Sequence, residues 1–569
     1  MKKYILICEI GPIYDFVTHS RKTIDFWSAS FIFSYFMSKA ANVISDNKGK
    51  IFRPWLEGDP LFTGKGKVTC GSVPDQIFAL IDKDDKENIE KGLKEVVEKT
   101  INEIAKEVES INEIKKENVK INRREIKNFL NFFYIFHERE KEELDYKELL
   151  KAEEKIKMRS FLRPFSQISD SRYIPKWKKC SLCGDREKVY SKQVDKTAEE
   201  YYRKEHFCSV CILKRFLPKV IENLVKNIDK KPHYQSTSDI AAIPIKKRLE
   251  EFEKSSWNTD ELKELKERYD NLRNEYIKEF IDSNIEDGRC FFETSLKKQP
   301  SDFRKSFKEL KCNKNHVSLK WLERPFYSIV YMDGDNLGKT LKKESDDFSK
   351  KINDISKNLS TFSNNVNGII SKHNGQLIYA GGDDVAFIIH PEYLIGCLKE
   401  LTDTYKILME DVSESLTLSA GVAISYHKYP LSETIRVANN MLSENAKIFN
   451  LPNKNATAIS LIKGHTEKFN FVFSNDNLES LKNLNDMLLK SDVSRTTPYR
   501  IYESLEILKN INKSYMENYL YSIIKGTRGA SKEDEAIRGI VKILMKFEIP
   551  DAENMVNALL FARFLAGEK

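Results

Sequence analysis

Between residues 326 and 462 the spacing of apolar and polar positions switches repeatedly between strand-like alternation and helical periodicity. Residues 326–332 (FYSIVYM) are an almost unbroken apolar run, which predicts a strand buried on both faces. Residues 347–373 space their apolar positions three and four apart, as an amphipathic helix does. Two short strands, 375–380 and 385–390, flank Gly381-Gly382-Asp383-Asp384, which reads as a four-residue turn. A helix at 392–411, a strand at 416–425, a helix at 431–449 and a strand at 456–462 complete the block. The β-α-β-β-α-β order predicts a ferredoxin-like domain.

Elsewhere the pattern is mostly helical. Residues 3–9 read as an apolar strand, 18–43 as a helix rich in aromatics, and the stretches near 51–55 and 76–81 as two short strands. Across 82–157, Ile89, Leu93, Val96, Val97, Ile101 and Ile104 fall at helical spacing within charged sequence, which predicts long helices. A cysteine-bearing module spans about 163–216, and charged helices follow to about 280. Gln299-Pro300-Ser301-Asp302 marks a loop in an irregular stretch before 323, and after Gly464 the chain reads as helical.

Composition narrows the class. A chain of 569 residues predicts three or four domains at roughly 150 residues each. The 94 basic and 86 acidic residues leave a net charge of +8, compatible with a nucleic-acid partner but placed mostly on helix faces such as 86–120 and 257–278. No apolar run approaches the ~20 residues of a membrane span. The N-terminus starts like a signal peptide, but Glu9 and Asp15 interrupt it. Nine cysteines without a secretion signal fit a reducing compartment, so a cytoplasmic protein is expected.

The chemistry concentrates in two acidic runs. Asp333 closes the first strand of the 326–462 block, in YMDGDNLGK (331–339). Gly334 lets the chain turn, and Asp335 and Asn336 lead into a helix start whose backbone N–H groups suit phosphate oxygens. Gly381 and Gly382 permit a tight hairpin, with Asp383 and Asp384 at its tip. In this strand order the first strand and the hairpin are neighbours, so three carboxylates meet. They repel one another unless cations neutralise them. Mg²⁺ (or Mn²⁺) suits such oxygen ligands and keeps substrate phosphate in its shell. A two-metal nucleotidyl transfer from a nucleoside triphosphate is therefore expected. Lys447, ending a helix in SENAKIF, lies on the side where a triphosphate is expected. A lone GGDD or DGD is an ordinary loop; the reading rests on both occupying the right strands of one unit.

Cys180-x-x-Cys183 and Cys208-x-x-Cys211, with 24 residues between the pairs, predict a tetrahedral four-thiolate Zn²⁺ site. Buried free thiols are the plain alternative, and His206 is near enough to compete as a ligand. Cys8, Cys70, Cys290, Cys312 and Cys397 are scattered and read as incidental.

Together with SRKTIDFWSAS (20–30), CSLCGDRE (180–187), IYAGGDDVAF (378–387), and SAGVAISYHKYPL (419–431) followed by ENAK (444–447), these runs carry a family likeness. The palm, the 326–464 domain, resembles that of GGDEF-type cyclases. Over most of residues 1–465 the chain more closely resembles the polymerase/cyclase large subunit of type III CRISPR RNA-guided effector complexes. RKTIDFW makes it most similar to the type III-B (Cmr) branch.

The resemblance implies an α+β multidomain fold with two ferredoxin-like palms facing each other. The expected domains are a degenerate first palm with a helical insertion (1–160), a helical domain with the zinc module (161–322), the catalytic second palm (323–465) and a C-terminal helical domain (466–569). CGSVPDQIFAL (70–80) then reads as the first palm's hairpin, with Ser72, Val73 and Pro74 where the acidic pair would stand and EIGPI (9–13) in place of MDGDN. The first palm is expected to have lost its metal ligands.

The resemblance further implies target-RNA-activated synthesis of cyclic oligoadenylate from ATP, beside other subunits, a CRISPR guide RNA and target RNA. Some relatives look able to join AMP to S-adenosylmethionine instead. A stand-alone diguanylate cyclase and a catalytically silent nucleotide-binding scaffold are the remaining alternatives. Many family members begin with an HD nuclease domain; with no His-Asp dipeptide, no HD-type DNase activity is expected here. Arg123–Arg124 and residues 173–179 are basic and aromatic enough to meet RNA, or to be plain surface.

Overall fold

The computed structural model describes residues 3–139, 144–161, 178–193, 204–229, 234–254, 325–342, 347–449, 451–464, 468–490, 493–494, 496–526, 534–547 and 552–566. The expected helix at 257–278, the 299–302 loop, Cys290, Cys312 and residues 173–177 lie outside them.

The N-terminal sheet holds β1 (Lys3–Gly11), β2 (Lys50–Arg53), β3 (Gln76–Asp82) and β4 (Asn131–Glu138), in the antiparallel order β2-β3-β1-β4. With helices Thr23–Asp46 and Lys86–Ser110 as the crossovers, this is the ferredoxin-like order. Two sequence expectations change here. β4 falls in a stretch expected to be helical: NFFYIFHE is rich in strand-favouring aromatics, but charged helical neighbours conceal it. Residues 70–75 form no tight hairpin turn. They end a long connection between β2 and β3, and their backbone is used elsewhere.

A small antiparallel pair, β5 (Tyr190–Gln193) and β6 (Lys204–Phe207), precedes helix Ser209–Leu224. The helix packs against Lys86–Ser110 and Thr23–Asp46, which fastens the cysteine module to the first palm.

The larger sheet holds β7 (Phe326–Gly334), β8 (Gln376–Gly381), β9 (Asp384–Ile389), β10 (Leu418–Tyr426), β11 (Ala456–Ile462) and β12 (Lys468–Ser474). Its order is β12-β11-β10-β7-β9-β8. The β10-β7-β9-β8 portion repeats the first sheet's order, with helices Phe348–Lys372 and Pro391–Met409 as crossovers. β11 runs parallel to β10, and β12 closes the edge where helix was expected. β12 is a strand because Phe471 and Phe473 are buried on one of its faces, Phe471 against Phe561 of helix Ala552–Ala566 at 5.1 Å. The remaining C-terminal elements are helical, as expected. No described helix is long and apolar enough to cross a membrane.

The two palms meet edge to loop. Ala380 N–H donates to Gly71 O at 3.2 Å, and Gly71 bridges to Tyr379 of β8. The segment that failed to make its own hairpin extends the second palm's edge strand instead.

Candidate active site and cysteine cluster

Strand register builds the acidic site. Met332 of β7 lies opposite Val385 of β9, so Asp333, one residue on, reaches the level of Asp384. The hairpin turn is tighter than expected: Gly381 pairs with Asp384, leaving only Gly382 and Asp383 in the turn. Gly382 has φ +65°, a left-handed conformation that glycine adopts without strain. A Cβ at Gly334 would lie 2.4 Å from Asp383 Oδ2 and 2.8 Å from Tyr405 Oη, so the strand end and the hairpin meet only because residue 334 has no side chain.

Electrostatics follow from the crowding. Loss of solvation on the cleft floor, then the Asp333 charge, raise the proton affinity of Asp383. Desolvation and the charges of Asp383, Asp333 and Asp75 push the Asp384 carboxyl well above the usual carboxylate range. Asp384 still opens to solvent, as a ligand-binding carboxylate must.

Lys447 is the cation among them. It caps a π-helical turn, Met441–Ala446, in which its N–H reaches back to Leu442 O at 2.9 Å. The wider turn aims the side chain inward. Its Nζ sits 2.7 Å from Asp333 Oδ2 and donates to Asp333 O at 2.8 Å, Gly334 O at 2.6 Å and Asp335 Oδ1 at 2.9 Å. Burial works against its charge, but Asp333 and Asp335 prevail and hold its pKa above the usual lysine value.

Asp335 behaves differently from the expectation. Its N–H donates to Thr417 O at 2.7 Å and so is unavailable to a phosphate. Its carboxylate is fully buried and accepts from Thr417 Oγ1, Ser419 Oγ and the Asn455 N–H. It clamps the loop after β7 to β10 and β11 and holds Lys447. Asn336, at φ +62°, is also buried and donates to Ser415 O.

Two cavities flank the acids. One, of about 390 Å³ and within the usual range for small-molecule sites, is lined by Tyr14, Ser34, Asp333, Asp384, Ser443 and Lys447. The other, about 100 Å³, is lined by Arg53, Trp55, Ser356, Asn364, Asp383 and Asp384. Asp75 of the first palm also lines both. Burial and the nearby Glu9 charge push its carboxyl up to about 6. Sequence reasoning passed over Asp75, Arg53 and Tyr405. Asp75 stands next to Pro74 in the segment compared with the GGDD hairpin; the other two carried no signal beyond ordinary surface and core positions.

The fit to Mg²⁺ rests on the donors. Hard carboxylate oxygens converge in numbers that Lys447 alone does not neutralise. They are more widely spread than the cysteines. Among the described residues, the quartet Cys180, Cys183, Cys208 and Cys211 is the one group of such donors gathered within 4.8 Å of one another. Pairing of β5 with β6 brings the two knuckles together, with Ser181 N–H on His206 O at 2.7 Å. Cys183 and Cys208 Sγ are 3.9 Å apart, close to the ~3.8 Å edge of a tetrahedron with zinc–sulfur bonds of about 2.3 Å. Hydrogen bonds from Cys180, Cys208 and Cys211 drive the Cys183 thiol far down toward thiolate. His206 stands apart from the quartet, with Nδ1 on Ser191 Oγ at 2.8 Å.

Residues 326–458 match the model of the Cas10/Cmr2 second palm domain, and residues 5–108 that of the CRISPR-associated protein Cmr2 N-terminal region. Both matched regions are those of Cas10/Cmr2 proteins. Its similarity to the CRISPR system Cmr subunit Cmr2 of Pyrococcus furiosus is 24% identity, over 95% of this chain and 72% of that protein. Two structures of type III-B Cmr-beta share its fold. The apo state has a TM-score of 0.68 at 13% identity, covering 100% of this chain and 82% of the other. The state bound to cognate target RNA has a TM-score of 0.66 at 14% identity, covering 100% and 83%. The GGDD run, residues 381–384, lies within the region matched to the second palm domain.

Proposed function

We propose that this protein is the target-RNA-activated nucleotidyltransferase of a type III-B CRISPR complex, making cyclic oligoadenylate from ATP. The observation that carries the reading is the meeting of Asp333, Asp383 and Asp384 between two cavities that share Asp384, one also lined by Asp333 and the other by Asp383. The larger cavity has room for a nucleotide beside Asp333 and Asp384, and the smaller for a phosphate-sized group beside Asp383.

Asp333, Asp383 and Asp384 would hold the Mg²⁺ ions, which supply activation of the attacking hydroxyl and neutralisation of the leaving pyrophosphate. Lys447 ties the Asp333 strand end in place and sits where it can exchange a carboxylate partner for a phosphate oxygen. Gly381 and Gly382 keep the hairpin backbone low beside the ligand. The first palm closes the cleft from the other side with Arg53, Ser72 and Asp75. The cysteine quartet holds a structural Zn²⁺ that stiffens the flank of the first palm. The RNA-bound Cmr-beta relative supports target RNA and fellow subunits as partners here.

The test is a mass spectrum of product formed from ATP and Mg²⁺ by the assembled complex with target RNA, with and without S-adenosylmethionine. Adenylate-only rings are expected in both samples. An adduct formed only with S-adenosylmethionine would redirect the acceptor, and no product in either would end the enzymatic reading.

A further inference from the structure

Tyr405 has no part in the chemistry above, yet its placement is unusual. It lies on helix Pro391–Met409, fully buried, with its ring held edge-on by Phe362 at 5.0 Å. Packing alone would be met by phenylalanine. The hydroxyl has no hydrogen-bond partner, a costly state for a buried polar atom. It is also aimed at the acidic site. The Cβ position of Gly334 lies 2.8 Å from Tyr405 Oη and 2.4 Å from Asp383 Oδ2, so phenol and carboxylate both border the space that a side chain at residue 334 would fill. A tyrosine hydroxyl, with an ordinary pKa of about 10, keeps its proton at neutral pH and so donates toward a carboxylate.

We infer that the Tyr405 hydroxyl is the donor that takes one oxygen of the Asp383 carboxylate when a cation is bound, leaving the other oxygen to face the cation. The inference rests on the proposed role of Asp383 as a cation ligand. Tyr405 is a positioning residue: it acts through Asp383 and touches no substrate. The absence of a side chain at Gly334 opens the path between them. Donors behind metal-binding carboxylates and imidazoles typically change metal affinity by roughly 10–100-fold when removed.

The experiment uses the full chain and the variant Tyr405→Phe, which keeps the ring against Phe362. Mn²⁺ binding is followed by the paramagnetic resonance of free Mn²⁺ in the presence of a non-hydrolysable ATP analogue. Product formation is measured separately against Mg²⁺ concentration. Tyr405→Phe is expected to melt no lower than wild type, to bind Mn²⁺ about 10-fold more weakly, and to need about 10-fold more Mg²⁺ for half-maximal rate. In an Asp383→Ala background the same change is expected to add nothing. Unchanged Mn²⁺ affinity in Tyr405→Phe would overturn the inference, as would an equal loss in the Asp383→Ala background. The Mn²⁺ readout does not depend on turnover, so an inactive wild type would count against the proposed function and leave this inference to be decided by binding.

Discussion

The two palms share a strand order and differ at the tips of their strands. In the second, a two-residue turn carries Asp383 between Gly382 and Asp384, and β7 ends in Asp333-Gly334. In the first, the matching strands are joined by a long connection and β1 ends in Ile10-Gly11. The fold's frame tolerates either ending, because the sheet is held by β-strand pairing and helix packing well away from the tips. The first palm is not stripped of acids, however. Glu9 and Asp75 remain, with Gln76 bonded to Glu9 at 3.2 Å, and Asp75 enters the cleft of its twin. One palm supplies the acidic cluster and the other supplies the wall against which it works.

The contrast predicts unequal effects. Asp383→Ala/Asp384→Ala is expected to lower product formation by roughly 10³-fold or more while leaving the fold intact. Its melting temperature without Mg²⁺ is expected to rise, since mutual repulsion is removed. Lys447→Ala comes next, at about 10²-fold in rate. It is also expected to lower stability, because Asp335 is left buried without its closest cation.

Removal of the proposed zinc is expected to separate the palms in another way. Helix Ser209–Leu224 packs on the first palm, so a chelator or Cys183→Ser is expected to speed hydrogen exchange in Thr23–Asp46 and Lys86–Ser110 first. Exchange in β7 and β9 is expected to change little. Equal loss of protection in both palms would argue against this division.

The smallest effect concerns pH. Asp75 binds its proton more tightly folded than unfolded, because its carboxyl is pushed up to about 6. An unfolded aspartate titrates near 3.9, so the folded state holds the extra proton between about pH 4 and 6. Stability from this group is therefore present at low pH and lost as pH rises through 6. Asp75→Asn is expected to raise stability at pH 7 by up to about 3 kcal/mol and to flatten the acid side of the profile, measured by denaturant unfolding without divalent cations. An unchanged profile would mean that Asp75 is solvated as an ordinary surface acid.

Much of this was legible in the residues. The apolar run of β7, the glycine-rich hairpin and the paired CxxC knuckles are local signals, and each stands where the pattern placed it. What stayed hidden depends on tertiary contact. β4 and β12 are short aromatic strands among helical neighbours, and only their sheet partners decide their state. Asp335 looks like its neighbour Asp333, yet one is buried under hydroxyls and the other half-open; no local pattern separates them. Tyr405 occupies an ordinary apolar position on an amphipathic helix, and its hydroxyl gains meaning only from the missing side chain at Gly334.

The central claim is that the chemistry resides in the second palm while the first shapes the cleft. The most direct measurement compares turnover of labelled ATP, with target RNA and Mg²⁺, in complexes carrying Asp383→Ala/Asp384→Ala or Glu9→Gln/Asp75→Asn. The first pair is expected to yield no product, and the second to stay within about 10-fold of wild type. Comparable loss in both, or turnover that survives the first pair, would contradict the claim.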